Sequence, residues 1–359
     1  MNERLTDIAR QFSGNRRITN LAPLGNGLIN DTFLVTAEDF HFVLQCINEQ
    51  VFPKPVQVME NLQQLTRHVQ AKQQTAVCLQ IPALLKTTSA NSFHIDPIGR
   101  YWRAWQLVEK SESRENISRI TEAEQAGFAL GHFHRLVSDL APETLHDTLP
   151  GFHITPNYLR TYHRISVQST VRCELDEFAY CRHVIAAYKE KAGVLEQARQ
   201  HGRLRERIIH GDPKLNNFLF AENSDRIVSL IDLDTVKPGL VHYDIGDCLR
   251  SCCHRKQDNR FDLEVCAAIL RHYLAEAGHF FDRADYDYLY AAIELIPFEL
   301  GLRFFTDFLN GDRYFKTSQP TQNLLRAAEQ FRLCEDIRRQ RRTIEDIIRQ
   351  LAACQSIRS

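Results

Sequence analysis

The spacing of apolar residues changes once along this chain, and that change limits the folds open to it. In the first part, "TFLVTA" and "FHFVLQCI" are strand-like runs flanking a polar "EDF" turn, and "AVCLQIPALLKT", "SFHIDPIG" and "RYWRAWQLVE" add more. A short helix is expected over residues 4–12. The main helix of this part is "PVQVMENLQQLTRHVQAKQ", with Val56, Met59, Leu62, Leu65 and Val69 at helical spacing and Pro55 suited to its first turn. From Thr121 the helical period takes over. "TEAEQAGFALGHFHRLVSDL" opens with a capping-box pattern, Thr121 and Glu124. "ELDEFAYCRHVIAAYKEKAGVLEQARQ" reads as one long helix, and three more follow at "FDLEVCAAILRHYLAEAG", "ADYDYLYAAIELIPFELGLRFFTDFLNG" and "TQNLLRAAEQFRLCEDIRRQRRTIEDIIRQL". Strands followed by helices make an α+β pattern, and 359 residues exceed one usual domain. The expectation is two lobes, residues 1–110 rich in strands and residues 111–359 mainly helical.

Charge excludes some partners. The chain carries 44 basic and 45 acidic side chains, a formal net charge of -1. No global positive field exists to hold nucleic acid or an anionic membrane. The basic "RRQRR" is flanked by acidic residues and reads as a solvated helix face. No run of 18 apolar residues is present, so no spanning helix is expected. The opening "MNERLTDIARQFSG" is charged and has no apolar core, unlike a signal peptide. Ten scattered cysteines fit reduced thiols and a cytoplasmic location. Cys248, Cys252, Cys253 and His254 lie close in sequence, but buried core or helix surface accounts for them better than a zinc site.

Two short apolar runs inside the helical part carry a concentration of polar residues. "IIHGDPKLNNFLF" offers Asp212 and, five residues on, Asn217, and "SLIDLDTV" offers Asp232 and Asp234. Strand ends facing a cleft are where a scaffold positions chemistry. On an extended chain Asp232 and Asp234 would share a face, and their repulsion would favour a bound cation or a basic neighbour. The first part supplies "LGNGLIND", a glycine-rich turn before a strand. Its spacing and context are neither the dinucleotide fingerprint nor a Walker loop, but such a turn could cover phosphates. Together these pieces point to phosphoryl transfer, with one acid orienting a hydroxyl and an Asn and a second acid holding Mg²⁺.

The segments "HGDPKLNNFLF" and "LIDLDTVKPGLVHYDIGDCLR" resemble the aminoglycoside phosphotransferase and choline kinase superfamily, whose fold is bilobal and protein-kinase-like. The likeness extends through "GNGLINDTFLV", "FVLQCIN" and "GLRFFTDFLNGDRYF" to the bacterial N-acetylhexosamine 1-kinases within it. The resemblance implies that Asp212 is the catalytic base and that Asn217 and Asp232 hold Mg²⁺. It implies that Gly25, Gly27, Asn30 and Gln45 lie at the ATP phosphates, with Leu107 and Glu109 near the adenine. Arg303 and Tyr314 would line the sugar pocket. Asp244 would be a buried brace, with Asp247 similar, and His210 would pack behind the loop.

One position departs from the broader superfamily. Kinases of this type place a Lys where this strand has Gln45. The phosphate donor could instead be the backbone of the glycine turn, Arg67 or Lys54, and Glu60 could bond to Gln45 or face solvent. Lys214 would contact phosphate or a loop acid, or serve in a structural ion pair. The implied reaction is phosphorylation of the anomeric hydroxyl of GlcNAc or GalNAc, with the sugar and ATP as small-molecule partners and no obligate protein partner. Alternatives are a kinase of choline, an amino alcohol, methylthioribose or an aminoglycoside, and a non-catalytic nucleotide-binding protein of the same fold.

Overall fold

The computed structural model describes residues 3–25, 29–72 and 78–356. Helix α1 (Glu3–Arg10) precedes strands β1 (Ile18–Pro23), β2 (Asp31–Ala37) and β3 (Phe40–Cys46). Helix α2 (Pro55–Gln70) and strands β4 (His94–Ile95) and β5 (Tyr101–Gln106) follow. The sheet is antiparallel in the order β1-β2-β3-β5-β4. Side chains alternate across it. Val35, Phe42, Leu44, Trp102 and Ala104 form a small core with Ile8, Ala9 and Phe12. On the other side, α2 buries Val58, Met59, Leu62, Leu65 and Val69 in the core it shares with Trp105 and the helical part. Each such side chain stabilises the fold by roughly 1.5–3 kcal/mol.

The second part begins with β6 (Ser111–Ser113), then α3 (Ile120–Val137), α4 (Thr155–Gln168), α5 (Asp176–Tyr188) and α6 (Val194–Gln200). Strands β7 (Arg207–Ile209), β8 (Phe218–Ala221), β9 (Ile227–Leu230) and β10 (Lys237–Gly239) come next, then α7 (Val241–Cys252). The chain ends with β11 (His254–Arg255), β12 (Arg260–Phe261), α8 (Leu263–Ala277), α9 (Arg283–Leu309), α10 (Gln322–Arg339) and α11 (Arg341–Ser356). The fold is α+β, a strand-rich part followed by a helical one. Among the described residues no helix is long and apolar enough to cross a membrane.

Several elements differ from the sequence reading. The described part of "AVCLQIPALLKT" makes only isolated bridges, Gln80 to Ser229 and Leu84 to Trp105, so it bridges the two parts rather than adding a strand. The long helix over "ELDEFAYCRHVIAAYKEKAGVLEQARQ" is α5 and α6, separated by a 3₁₀ turn (Lys189–Lys191) and Gly193. The last helix also breaks, at Gln340, whose side chain donates to Phe261 and Asp336 instead of facing solvent. Helix α3 starts before Thr121. Glu122, not Glu124, caps it by accepting from the Ser118 N–H, while Thr121 donates to Asp225. Arg339 and Arg341 of "RRQRR" pair with Asp336 and Glu345. Cys248, Cys252 and Cys253 are buried.

Candidate active site

The sheet topology brings the two polar segments together. β7 pairs with β10 and β8 pairs with β9, so the β7–β8 loop and the β9–β10 turn run side by side. Three hydrogen bonds join them. Nε2 of His210 donates to the Ile231 carbonyl (3.0 Å), Thr235 Oγ1 to the His210 carbonyl (2.8 Å) and the Ile231 N–H to the Asn217 carbonyl (2.9 Å). Gly211 has φ +89°, and a Cβ there would lie 2.6 Å from the Thr235 carbonyl oxygen, so only glycine fits this crossing.

Buried groups behind the loop fix its shape. Asp244, inside α7, accepts from the His210 N–H (2.6 Å), the Gly211 N–H (2.8 Å) and His134 (2.9 Å). It is a brace within the helix and not its N-cap, which is Leu240. His210 donates through Nε2 and accepts the Asp212 N–H at Nδ1 (3.3 Å), the pattern of a neutral ring. Burial holds it below the ordinary imidazole range. His153 does the opposite. It donates to the Gly211 carbonyl (2.8 Å) and to Glu299 (2.9 Å), and although burial opposes its charge, Glu299 raises its pKa. Asp247 pairs with Arg250 at 2.8 Å.

Asp212 stands at the front of this frame. Its Oδ2 accepts from Lys214 Nζ (2.5 Å) and Asn217 Nδ2 (3.2 Å), which leaves Oδ1 for another donor. Burial pulls the Lys214 ammonium down, but Asp212 and Asp232 more than offset this and hold it above the usual lysine range. Asn217 also donates to the Asp212 carbonyl (2.7 Å), so its amide oxygen is the end free to meet a cation.

The "DLD" turn does not have the expected geometry. Only Ile227–Leu230 is a strand ahead of it. Asp232 is left-handed (φ 64°, ψ 52°) and Asp234 lies in a 3₁₀ turn, so the two do not share a strand face. Asp234 is buried, 2.5 Å from Arg103 Nη2, and accepts from Asn30 Nδ2 (2.8 Å). Asp232 accepts no hydrogen bond and has no ion pair among the described residues, and solvent reaches it. Protein crowds it on its other sides. That burial, with repulsion from Asp234 and Asp212 and against the pull of Lys214, pushes its pKa up to about 6. An unpaired carboxylate and a free amide oxygen are hard donors suited to a divalent cation. Among the described residues there is no cluster of three or more His, Cys, Asp or Glu side chains that could hold a metal by themselves.

Of the expected nucleotide-site residues, Gly25 lies in a positive-φ turn (+69°) and Gly27 is outside the described residues. Asn30 is buried, its amide donating to Asp234 and accepting from the Asn48 N–H (3.0 Å). Gln45 accepts from Trp105 Nε1 (2.6 Å) and twice from Arg103 (3.0 and 3.2 Å). Leu107 and Glu109 follow β5, outside the strand ladders. Neither Arg67 nor Lys54 is at Gln45. Arg67 bonds to Gln63 and Gln64 on its own helix, and Lys54 is the exposed residue before α2. Glu60 pairs with His146 at 2.9 Å. The buried cation here is Arg103, which the sequence reading passed over. Its only local sign is an Arg between the aromatic residues of "RYWRAW".

A cavity of about 410 Å³ lies in the helical part. Helix α9 contributes Arg303 and Asp307, one turn apart, with Glu299 a turn before them. Glu299 is occupied by His153 and Thr155. Asp307 is occupied by the N–H groups of Arg313, Tyr314 and Phe315 and by Asn323. Arg303 has no hydrogen bond or ion pair among the described residues. Its guanidinium carbon lies 5.1–5.9 Å from the ring centres of Phe152, Tyr158, Phe315 and Tyr314. Phe152 is next to His153, which links the cavity to Gly211 and so to Asp212. The structure therefore brings Arg303 and Tyr314 together and adds Phe152, Tyr158 and Phe315, whose positions depend on contacts distant in sequence.

A strand-rich part, a helical part and a braced Asp beside an unpaired carboxylate turn define a kinase-like phosphotransferase. Residues 20–286 match the phosphotransferase enzyme family, and the chain belongs to that family of small-molecule phosphotransferases. Its fold is similar to that of a microcompartment-associated aminopropanol kinase (TM-score 0.67, 16% identity, covering 95% of this chain and 98% of that one). It is also similar to wild-type aminoglycoside 2'-phosphotransferase-IIIa in its GDP complex (0.60, 17%, 92% and 99%). An amicoumacin kinase in complex with AMP-PNP and Ca²⁺ is similar as well (0.60, 11%, 92% and 93%).

Proposed function

We propose that this chain is an ATP- and Mg²⁺-dependent kinase that phosphorylates the anomeric hydroxyl of N-acetylglucosamine or N-acetylgalactosamine. The observation that carries the choice of acceptor is Arg303, an unpaired guanidinium under four aromatic rings, with the two carboxylates on either side along α9 already occupied. Such a pocket disfavours a cationic acceptor and suits a neutral one with an acetyl oxygen and hydroxyls to accept from Arg303. Tyr314 and its neighbours offer faces for a sugar ring.

The geometry supports these roles. Asp212 has one carboxylate oxygen held by Lys214 and Asn217, and the other receives the acceptor hydroxyl and takes its proton. His153 holds the Gly211 carbonyl and so sets where Asp212 stands relative to the cavity. Asn217 and Asp232 would hold Mg²⁺, which offsets charge on the nucleotide phosphates. Residues 1–110 form the nucleotide lobe, with the turn at Gly25 at the phosphates, Asn30 and Gln45 supporting it, and the backbone at Leu107 and Glu109 beside the base. Residues 111–359 form the acceptor lobe. The kinase complexed with AMP-PNP and Ca²⁺ supports a nucleotide and a divalent ion in this fold.

The fold likeness to an aminopropanol kinase and an aminoglycoside phosphotransferase favours a second reading, a cationic alcohol as acceptor. The test is turnover of ATP with each sugar, aminopropanol, choline and an aminoglycoside, followed by phosphorus–proton coupling in the NMR spectrum of the product. Phosphate coupled to H1 of the sugar is expected. Coupling to the C6 protons would overturn the anomeric assignment, and turnover of the amines alone would establish the second reading.

A further inference from the structure

The strand position that holds a lysine in other kinases holds Gln45 here, yet a buried positive charge stands next to it. Arg103 faces Gln45 across the β3–β5 ladder. Its Nε and Nη2 both donate to Gln45 Oε1, and the same oxygen accepts from Trp105 Nε1, so three donors orient a neutral side chain. The guanidinium carbon lies 4.8 Å from the Trp105 ring centre. From this platform Nη2 reaches Asp234 Oδ1 at 2.5 Å, and the other oxygen of Asp234 accepts from Asn30. Arg103 is 1% exposed and Asp234 2%. One network thus joins two strands of the sheet, the exit of the glycine turn and the turn that carries Asp232.

We propose that Arg103 is a positioning residue that takes over from the missing strand lysine, gripping Asp234 so that Asp232 is set for the nucleotide-bound metal. The inference rests on the Mg²⁺–nucleotide part of the proposed function and not on the identity of the acceptor. Burying two charges is costly, and an apolar pair often serves stability as well. A pair placed between the sheet and the metal turn has another use. It neutralises Asp234, leaving Asp232 as the solvent-exposed carboxylate of this turn. It also ties Asn30 to that turn, so the glycine turn and the metal turn share one reference point. The helix glutamate that would pair with a strand lysine is released, as Glu60 pairs with His146 instead.

The experiment titrates Mg²⁺ against full-length protein at fixed ATP and reads nucleotide binding by calorimetry. Emission of Trp105 gives a second signal from inside the network, since the chain has only two tryptophans. Arg103→Met and Asp234→Asn are each expected to raise the Mg²⁺ concentration for half-maximal binding by about 10–100-fold, the range for groups that orient metal ligands. Nucleotide affinity in EDTA and KM for the acceptor should stay within about threefold of wild type. Arg103→Lys, which keeps the charge but not the fork, should recover part of the loss. Asp234→Asn preserves shape, so the test survives if Arg103→Met does not fold. A Mg²⁺ requirement unchanged within about twofold in Asp234→Asn and in any folded Arg103 variant would overturn the proposal. A wild-type protein whose nucleotide binding ignores Mg²⁺ would instead remove the reading beneath it.

Discussion

Replacing Asp232 with Asn should make the metal-free protein more stable while removing its response to Mg²⁺–nucleotide. The shape is kept, and Asn adopts the left-handed conformation of this residue (φ 64°) readily. Burial and the repulsion of Asp234 and Asp212 lift the pKa of Asp232 from 3.8 to about 6. At about 1.4 kcal/mol per pH unit, the full shift amounts to about 3 kcal/mol of lost stability once the group is ionised. Solvent reaches this carboxylate, and screening reduces the figure to about 1–2 kcal/mol. For a chain of this length that is a rise in Tm of about 1–3 °C. The sign with pH follows from the direction of the shift. A carboxyl whose folded pKa is raised costs nothing below its unfolded pKa and its full amount above its folded one. The advantage of Asp232→Asn should therefore be complete above pH 7, shrink as pH falls through 6 and vanish near 4. The assay is thermal unfolding in EDTA across that range, repeated at pH 7.5 with Mg²⁺ and ATP. Wild type should gain stability from the ligand and the variant should not. An Asp232→Asn protein less stable than wild type at pH 7.5 in EDTA would refute the argument, because it would mean that the carboxylate has a partner in the apo protein.

Two further outcomes test the site. Asp212→Asn should lower kcat by roughly 10²–10⁴-fold, the contribution of a positioned base, with Mg²⁺–nucleotide affinity nearly intact, and steady-state kinetics with calorimetry will show it. Turnover within about threefold of wild type would remove Asp212 from the proton transfer. Arg303→Met should lower kcat/KM for the sugar by about 10–100-fold, as a charged hydrogen bond to the acceptor is lost. Unchanged sugar kinetics would take Arg303 out of acceptor recognition.

The sequence by itself determined what depends on near neighbours. Strand runs, helix runs and the "HGDPKLNN" and "IDLD" segments were legible because an amphipathic period and a loop's polar residues belong to one stretch of chain. The α+β class followed from their order. The tertiary structure decided which groups meet. Asp232 and Asp234 face different surroundings because a left-handed residue and a 3₁₀ turn replaced the extended chain, and the turn meets His210, Asn217 and Arg103, all distant in sequence. "AVCLQIPALLKT" has the composition of a strand, but it bonds to β5 only around Leu84 and to β9 at Gln80, so it crosses between the two parts instead of forming a ladder of its own. Arg303 and Tyr314 could be named from the sequence, but not the rings of Phe152 and Tyr158, because α9 meets that loop only when the helical core packs. Arg103 was least legible. A buried arginine is tolerable only if a carboxylate waits for it, and Asp234 reaches it from a turn that local sequence does not bring near β5.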